Sequence, residues 1–306
     1  MNTAPMLDRI VGNQTLKQDL KAALTAGRLA HSILLVGEAG CGAGFAARCL
    51  AADYLYPRGG PHAEAVLRGE DSECITVRGE GASGQIKVER IRAAREAIQH
   101  SALSADAAGR VMFIYGAQNL NGSSANAMLK IIEEPPEGVL FLLTATSTAA
   151  VLPTIRSRCA AYTLAPVDAG DCARALREAI PALPETKAND LAFLYEGHIG
   201  SCLAAVRDPK LSAARENAAA LCTLVQKADT YKAAALLARC EKDREAALEL
   251  LRQTRLAASA ALRRPGFAGL QPDRAAVLLD AAGKAMGAIR ANGNLRLALA
   301  LLAAAV

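Results

Sequence analysis

At 306 residues, with 52% hydrophobic and 21% charged residues, the chain carries ample apolar content for packed cores and does not read as disordered. Its formal charge of +5 permits contact with DNA phosphates or an acidic partner without demanding either, and no apolar run reaches the roughly 18 residues needed to span a bilayer. Aromatic residues make up only 4%, with no Trp, which favours helices packed through small aliphatic side chains.

In chain order, Leu16 to Ala26 reads as a helix, Ile33 to Val36 as a buried strand, Phe45 to Ala52 and Val88 to His100 as helices. Val111 to Tyr115 has the length of a central strand. Ser123 to Glu134 reads as a helix stopped by Pro135-Pro136, and Val139 to Thr144 as a third strand. Past about Pro166 the strand signals vanish. Asp171 to Ile180, Lys187 to Tyr195 and Ser201 to Val206 read as helices, with a turn at Gly197-His-Ile-Gly200. From about Pro209 the chain is Ala/Leu/Arg/Glu helix, interrupted near Arg264 to Gly269 and at Asn292-Gly-Asn294. The expected fold class is thus α/β followed by all-α, in three domains: 1–165, 166–207 and 208–306.

Eight cysteines are scattered without a C-x-x-C pair, as small buried hydrophobes of a reducing compartment would be, and neither a metal site nor a cofactor is expected. The first residues lack a signal-peptide core, so a cytoplasmic location is expected.

The most informative stretch is His31 to Gly44. Counting from Gly37, the frame G-x-x-x-x-G-K-[ST] is met at Gly37 and Gly42, between an apolar strand and a helix. It fails where charge is needed: Ala43 stands where a lysine would reach the β- and γ-phosphates, and Gly44 where a hydroxyl would bind Mg²⁺. Gly37, Gly40 and Gly42 therefore read either as a phosphate loop kept as architecture or simply as residues that allow a tight turn.

Three further segments carry a resemblance: Asn126-Ala-Met-Leu-Lys-Ile-Ile-Glu-Glu-Pro-Pro136, Phe141-Leu-Leu-Thr-Ala-Thr146 and Leu152-Pro-Thr-Ile-Arg-Ser-Arg-Cys159. Together they resemble bacterial clamp-loader subunits of the AAA+ class, in which N-A-L-L-K-x-L-E-E-P-P precedes S-R-C at this distance. Ile10 to Gln14 and Arg28 to Ser32 also resemble the segments before that family's phosphate loop. The similarity covers residues 8 to 206 and fades in the C-terminal helices. It implies an AAA+ α/β domain, a small helical lid and a helical collar.

Within the family, active motor subunits carry Asp-Glu after the apolar strand, where this chain has Tyr115-Gly116, and G-S-x-R where it has Gly200-Ser-Cys-Leu203. With Ala43, these are three separate losses from the hydrolytic apparatus, and they resemble the non-hydrolysing, delta-prime type of DNA polymerase III subunit. The family's four-cysteine zinc module is absent before Val88, a place a shorter packed loop can fill.

The resemblance makes Arg158 an arginine finger acting in trans on a neighbouring subunit's nucleotide. The alternative is a local pairing with a carboxylate. Ser157 would position the turn and Cys159 would pack inward. Thr146 falls at the family's sensor position and reads as a satisfied strand-end hydroxyl. Lys130 and Glu134, at i, i+4, read as a helix-face pair, and Arg90, Arg92 and Arg95 as a basic face diluted by Glu89 and Glu96.

The implied partners are motor (gamma/tau-type) and delta subunits in a heteropentameric ring, the sliding clamp indirectly, and primer-template DNA, with no membrane. Two other readings stay open: a divergent ATPase that binds nucleotide through backbone amides, and a DNA-binding adaptor unrelated to clamp loading.

Overall fold

In a computed structural model, residues 4–81, 84–98 and 104–306 are described. The chain falls into two compact units, one of residues 1–175 with 197–200 and one of 176–196 with 201–306.

The first unit is built on a five-stranded parallel sheet in the order β2-β3-β4-β1-β5, with β1 Ser32–Val36, β2 Cys74–Arg78, β3 Arg110–Tyr115, β4 Val139–Ala145 and β5 Ala160–Thr163. The central strands β1 and β4 are buried along their whole length, as helices covering both faces of a parallel sheet require. Alternate residues then divide between two cores. Ile33, Leu35, Val111, Phe113, Leu140 and Leu142 enter one, and Leu34, Val36, Met112, Ile114, Phe141 and Leu143 the other. Each such side chain removed from water contributes roughly 1.5–3 kcal/mol, so these continuous apolar runs fix the sheet's centre.

Around the sheet run α1 Gln14–Thr25, α2 Ala43–Leu55, α3 Pro61–Arg68, α4 Val88–Ile98, α5 Gly122–Glu133 and the single turn α6 Pro153–Arg156. The helix expected over Val88 to His100 is α4, and its last two expected residues lie outside the described residues. The three expected strands are β1, β3 and β4, while β2 and β5, the sheet's two edges, were not anticipated. The burial of β2 is broken, with Thr76 and Arg78 exposed, and β5 is four residues of Ala, Tyr and Thr, so neither presents a hydrophobic run. Helix α5 starts from a capping box. Asn121 Oδ1 accepts from Ser124 N at 2.8 Å and Ser124 Oγ from Asn121 N at 2.9 Å.

Between α2 and β2, a buried Asp71 carboxylate accepts from Tyr56 Oη at 3.1 Å and lies 3.5 Å from His62 Nδ1, with His62 stacked on Tyr56. Helix α7 Ala169–Ala179 runs from the first unit into the second, and α9 Ile199–Arg207 does the same.

The second unit is all-helical: α8 Glu185–Leu194, α10 Pro209–Gln226, α11 Thr230–Ala238, α12 Arg244–Arg263, α13 Pro272–Arg290 and α14 Leu295–Ala305. Helix α12 buries Ala247, Leu250, Leu251, Thr254, Ala257, Ala258 and Ala261, a stripe at helical spacing that packs on α10 and α13. Asp208, Asp229, Asp243 and Asn294 cap the N-termini of α10, α11, α12 and α14 through side-chain oxygens. The α/β part followed by an all-α part is the expected fold class. Among the described residues no helix is long and apolar enough to cross a membrane.

Candidate functional site

All five strands being parallel, β1, β3 and β4 deliver their C-terminal ends to one edge of the sheet, where open α/β folds bind ligands. The glycine-rich loop leaves β1 there. Gly37 N donates to Ala145 O at 3.0 Å, and a Cβ at Gly37 would stand 3.1 Å from Leu164 O, so this position takes no side chain without displacement. Gly40 and Gly42 have φ of 91° and 97°, a backbone region that favours glycine, and Gly42 is the N-cap of α2. The three glycines thus produce the strand-to-helix turn expected of them.

Ala43 and Gly44 form the first turn of α2. Tyr115, the last residue of β3, packs against this turn: a Cβ on Gly44 would meet Tyr115 Cε1 at 3.1 Å. Gly116 follows with φ of 81°, and its N–H donates to Thr144 O and Thr144 Oγ1 at 3.1 and 3.2 Å. Thr144 is therefore the strand-end hydroxyl that holds a partner, whereas Thr146, expected in that role, is exposed beyond β4.

On the loop's other side Gly200 N donates to Gly40 O at 2.9 Å, and His198 Nε2 lies 3.2 Å from Glu38 Oε2. Leu203, expected to stand in place of the family's second arginine, is half-buried on α9. A magnesium-bound triphosphate does not fit this arrangement. The turn has no cation at 43 and no hydroxyl at 44, no carboxylate follows β3 at 115 or 116, and an aromatic ring lies against the turn.

Arg158 sits just past α6. Its Nη2 is 2.7 Å from Glu133 Oε1 on α5, and its Nη1 donates to Thr154 O at 3.1 Å and Ser157 Oγ at 3.3 Å. Ser157 in turn donates to Thr154 O at 3.2 Å, closing a small knot under the guanidinium. The side chain remains 40% exposed, so the pairing does not bury its charge. Sequence reasoning allowed for a carboxylate partner without naming one, and Glu133, in the segment that carries the family resemblance, is that partner. Cys159 packs against the core facing α5, and burial pushes its thiol up to about 11.

A groove between α4 and α5 has a volume of about 310 Å³ and is lined by Arg92, Arg95, Lys130, Ser123 and Asn126 over Val88 and Ile91. Among the described residues no carboxylate lines it. Arg90, expected on the same basic face, instead pairs with Glu80. Lys130, expected to pair with Glu134 along its own helix, contributes to this groove, which helical spacing within either element alone does not reveal.

The chain is similar to known proteins in both sequence and fold. Residues 12–168 match the family model described as DNA polymerase III, delta subunit. Over 158 residues the chain is 35% identical to the DNA polymerase III subunit gamma/tau of Mycobacterium tuberculosis, covering 49% of this chain and 27% of that protein. Over 180 residues it is 30% identical to the delta' subunit of Pseudomonas aeruginosa, covering 55% of this chain and 53% of that one. The matched stretch therefore spans between about a quarter and about half the length of these relatives.

A DNA polymerase III gamma subunit-related protein of Thermotoga maritima shares the fold with a TM-score of 0.55 at 19% identity, over 93% of this chain and 97% of that one. Because the family match takes in just over half of the chain, from the residues before the glycine loop to those beyond Arg158, the chain belongs to the DNA polymerase III delta-subunit family.

Proposed function

We propose that the chain is a non-hydrolysing, delta-prime-like subunit of the DNA polymerase III clamp loader. In this reading it joins gamma/tau-type motor subunits and delta in a heteropentameric ring in the cytoplasm. It supports ATP-dependent loading of the sliding clamp onto primed DNA, touching the clamp only indirectly. The observation that carries this reading is the coexistence of two features in one unit: a phosphate loop without the groups that neutralise a triphosphate, and an arginine held at the surface by a turn of its own.

Arg158 then acts on the nucleotide of an adjacent subunit, where a guanidinium offsets charge spread over the transferring phosphoryl group. Residues 1–165 form the AAA+ domain, 166–207 the lid and 208–306 the collar. In the collar, α14 carries Leu297 and Leu301 exposed, one turn apart, as the apolar stripe for intersubunit packing. The carboxylate-free groove of Arg92, Arg95 and Lys130 offers the duplex backbone a run of cations, which makes primer-template DNA a further partner.

The test is DNA- and clamp-stimulated ATP hydrolysis by a loader reconstituted from cognate motor and delta subunits, with this chain as wild type, as Arg158→Ala, or omitted. Turnover is expected to require the chain, to fall by about 10³-fold or more with Arg158→Ala, and to be absent from the chain alone. Turnover by the chain alone, or an unchanged rate with Arg158→Ala in an assembled complex, overturns the reading. The similarity to gamma/tau subunits favours a second reading, a divergent ATPase that borrows its missing charges, and only this reading expects the isolated chain to hydrolyse ATP.

A further inference from the structure

We infer that Tyr115 is the residue that shuts the glycine loop to nucleotide, by filling the corner between the end of β3 and the first turn of α2 where a magnesium ion would sit. The inference rests on the non-hydrolysing reading and supplies a physical cause for it.

In a working phosphate loop, the metal is held from two sides, by a hydroxyl in the first turn of the helix and by a carboxylate at the end of a neighbouring strand. Here both positions have changed, and the structure shows that the changes belong together. Gly44 lies in a helical turn without positive φ, so its backbone accepts any side chain. What crowds a side chain is the ring: a Cβ at 44 would stand 3.1 Å from Tyr115 Cε1 and 3.6 Å from Cδ1, so the ring must yield by a few tenths of an ångström to admit one. The lost hydroxyl and the lost acid are thus two halves of one packing contact.

The ring is also anchored. Arg78 lies opposite Tyr115 in the β2–β3 ladder, and its guanidinium carbon stands 4.3 Å from the ring centroid. Phe113, two residues earlier on the same face of β3, stacks on the ring at 5.6 Å between centroids. Arg78, Tyr115 and Gly44 therefore form a continuous stack from an edge strand to the helix that would cradle phosphate. The contact of Gly200 N with Gly40 O, on the loop's other side, occupies a carbonyl and leaves this corner untouched.

Reinstalling the missing loop groups without removing the ring should accordingly not make a site. The experiment measures equilibrium binding of MgATP to four forms of the full chain: wild type, Ala43→Lys/Gly44→Thr, and that pair combined with either Tyr115→Ser or Tyr115→Phe. Wild type, the pair alone and the pair with Phe are expected to show no binding at millimolar nucleotide, and the pair with Ser to bind at least 100-fold more tightly.

Binding by wild type overturns the role of Tyr115, while the non-hydrolysing reading stands or falls separately on turnover by the chain alone. With wild type silent, equal binding by the pair alone and the pair with Ser overturns only the role of Tyr115. Absence of binding by a folded pair-with-Ser chain also overturns it. If the combined variants do not fold, thermal unfolding decides. Gly44→Ala is expected to raise the midpoint by a few degrees more in a Tyr115→Ala background than in wild type, because helix propensity then acts without the steric contact. Equal shifts in both backgrounds overturn the inference.

Discussion

Arg158 and Glu133 form a pair whose strength decides how freely the arginine can leave. A half-exposed ion pair contributes about 0.2–1 kcal/mol, so under the proposed role of Arg158 separating it is a small cost beside the three or more orders of magnitude that such a finger supplies. Glu133→Gln is accordingly expected to raise hydrolysis in the reconstituted loader by no more than about fivefold, since 1 kcal/mol is about a factor of five. A loss as large as that of Arg158→Ala would instead show that Glu133 positions the arginine for its task.

The neighbouring thiol tests the packing. With Cys159 pushed up to about 11 by burial, its thiolate fraction at pH 8 is about 10⁻³, and alkylation should run about two orders of magnitude slower than for an ordinary exposed cysteine. Because the raised value keeps the thiol protonated, the rate should climb about tenfold per pH unit until pH approaches 11, a profile read by mass spectrometry of the modified peptide. The Ser-Arg-Cys signal was legible in sequence because its register with the Asn126 to Pro136 segment is fixed. Which carboxylate meets the arginine was not, since α5 and α6 adjoin only once β4 has carried the chain across the sheet.

At the scale of elements, the loop at the start of α5 carries a stability prediction. Asn121→Ala removes the acceptor for Ser124 N and undoes the reciprocal bond, and should cost about 1 kcal/mol, measured as a lower denaturation midpoint at unchanged slope. A change below a few tenths would mean that solvent replaces the cap.

Helices and central strands were readable because their signals are local. The apolar runs at 33–36, 111–115 and 139–144 need no partner to be recognised. The edges of the sheet were not readable: β2 carries Thr76 and Arg78 to solvent, and β5 is held by its backbone register to β1 at Ile33 to Val36 more than by apolar side chains. The glycine frame announced the turn at 37–42. That a side chain at 44 is crowded depends on Tyr115, some seventy residues away, and no spacing rule connects them.

Across the whole molecule, the two units meet different physical demands. The second is a bundle of Ala- and Leu-rich helices whose last member, α14, is apolar on its outer face as well as its inner one. Leu297→Glu with Leu301→Glu should leave the unfolding midpoint of the isolated chain within a few degrees of wild type, because both side chains are more than half exposed. The same variant should fail to co-elute with motor and delta subunits on gel filtration. Normal co-elution would remove α14 from the assembly surface.

The parallel order of the sheet has a consequence for biosynthesis. Among the described residues strand β1 pairs only with β4 and β5, and Ser32 lies opposite Phe141, more than a hundred residues later in the chain. A ribosome adding about 5–20 residues per second leaves the Ile33 to Val36 segment without either neighbour for roughly 5–20 s after it is made. During that interval a bare, uncharged β-prone segment is available to chaperones or to another nascent copy, and the yield of folded chain in the cell depends on how that wait is managed.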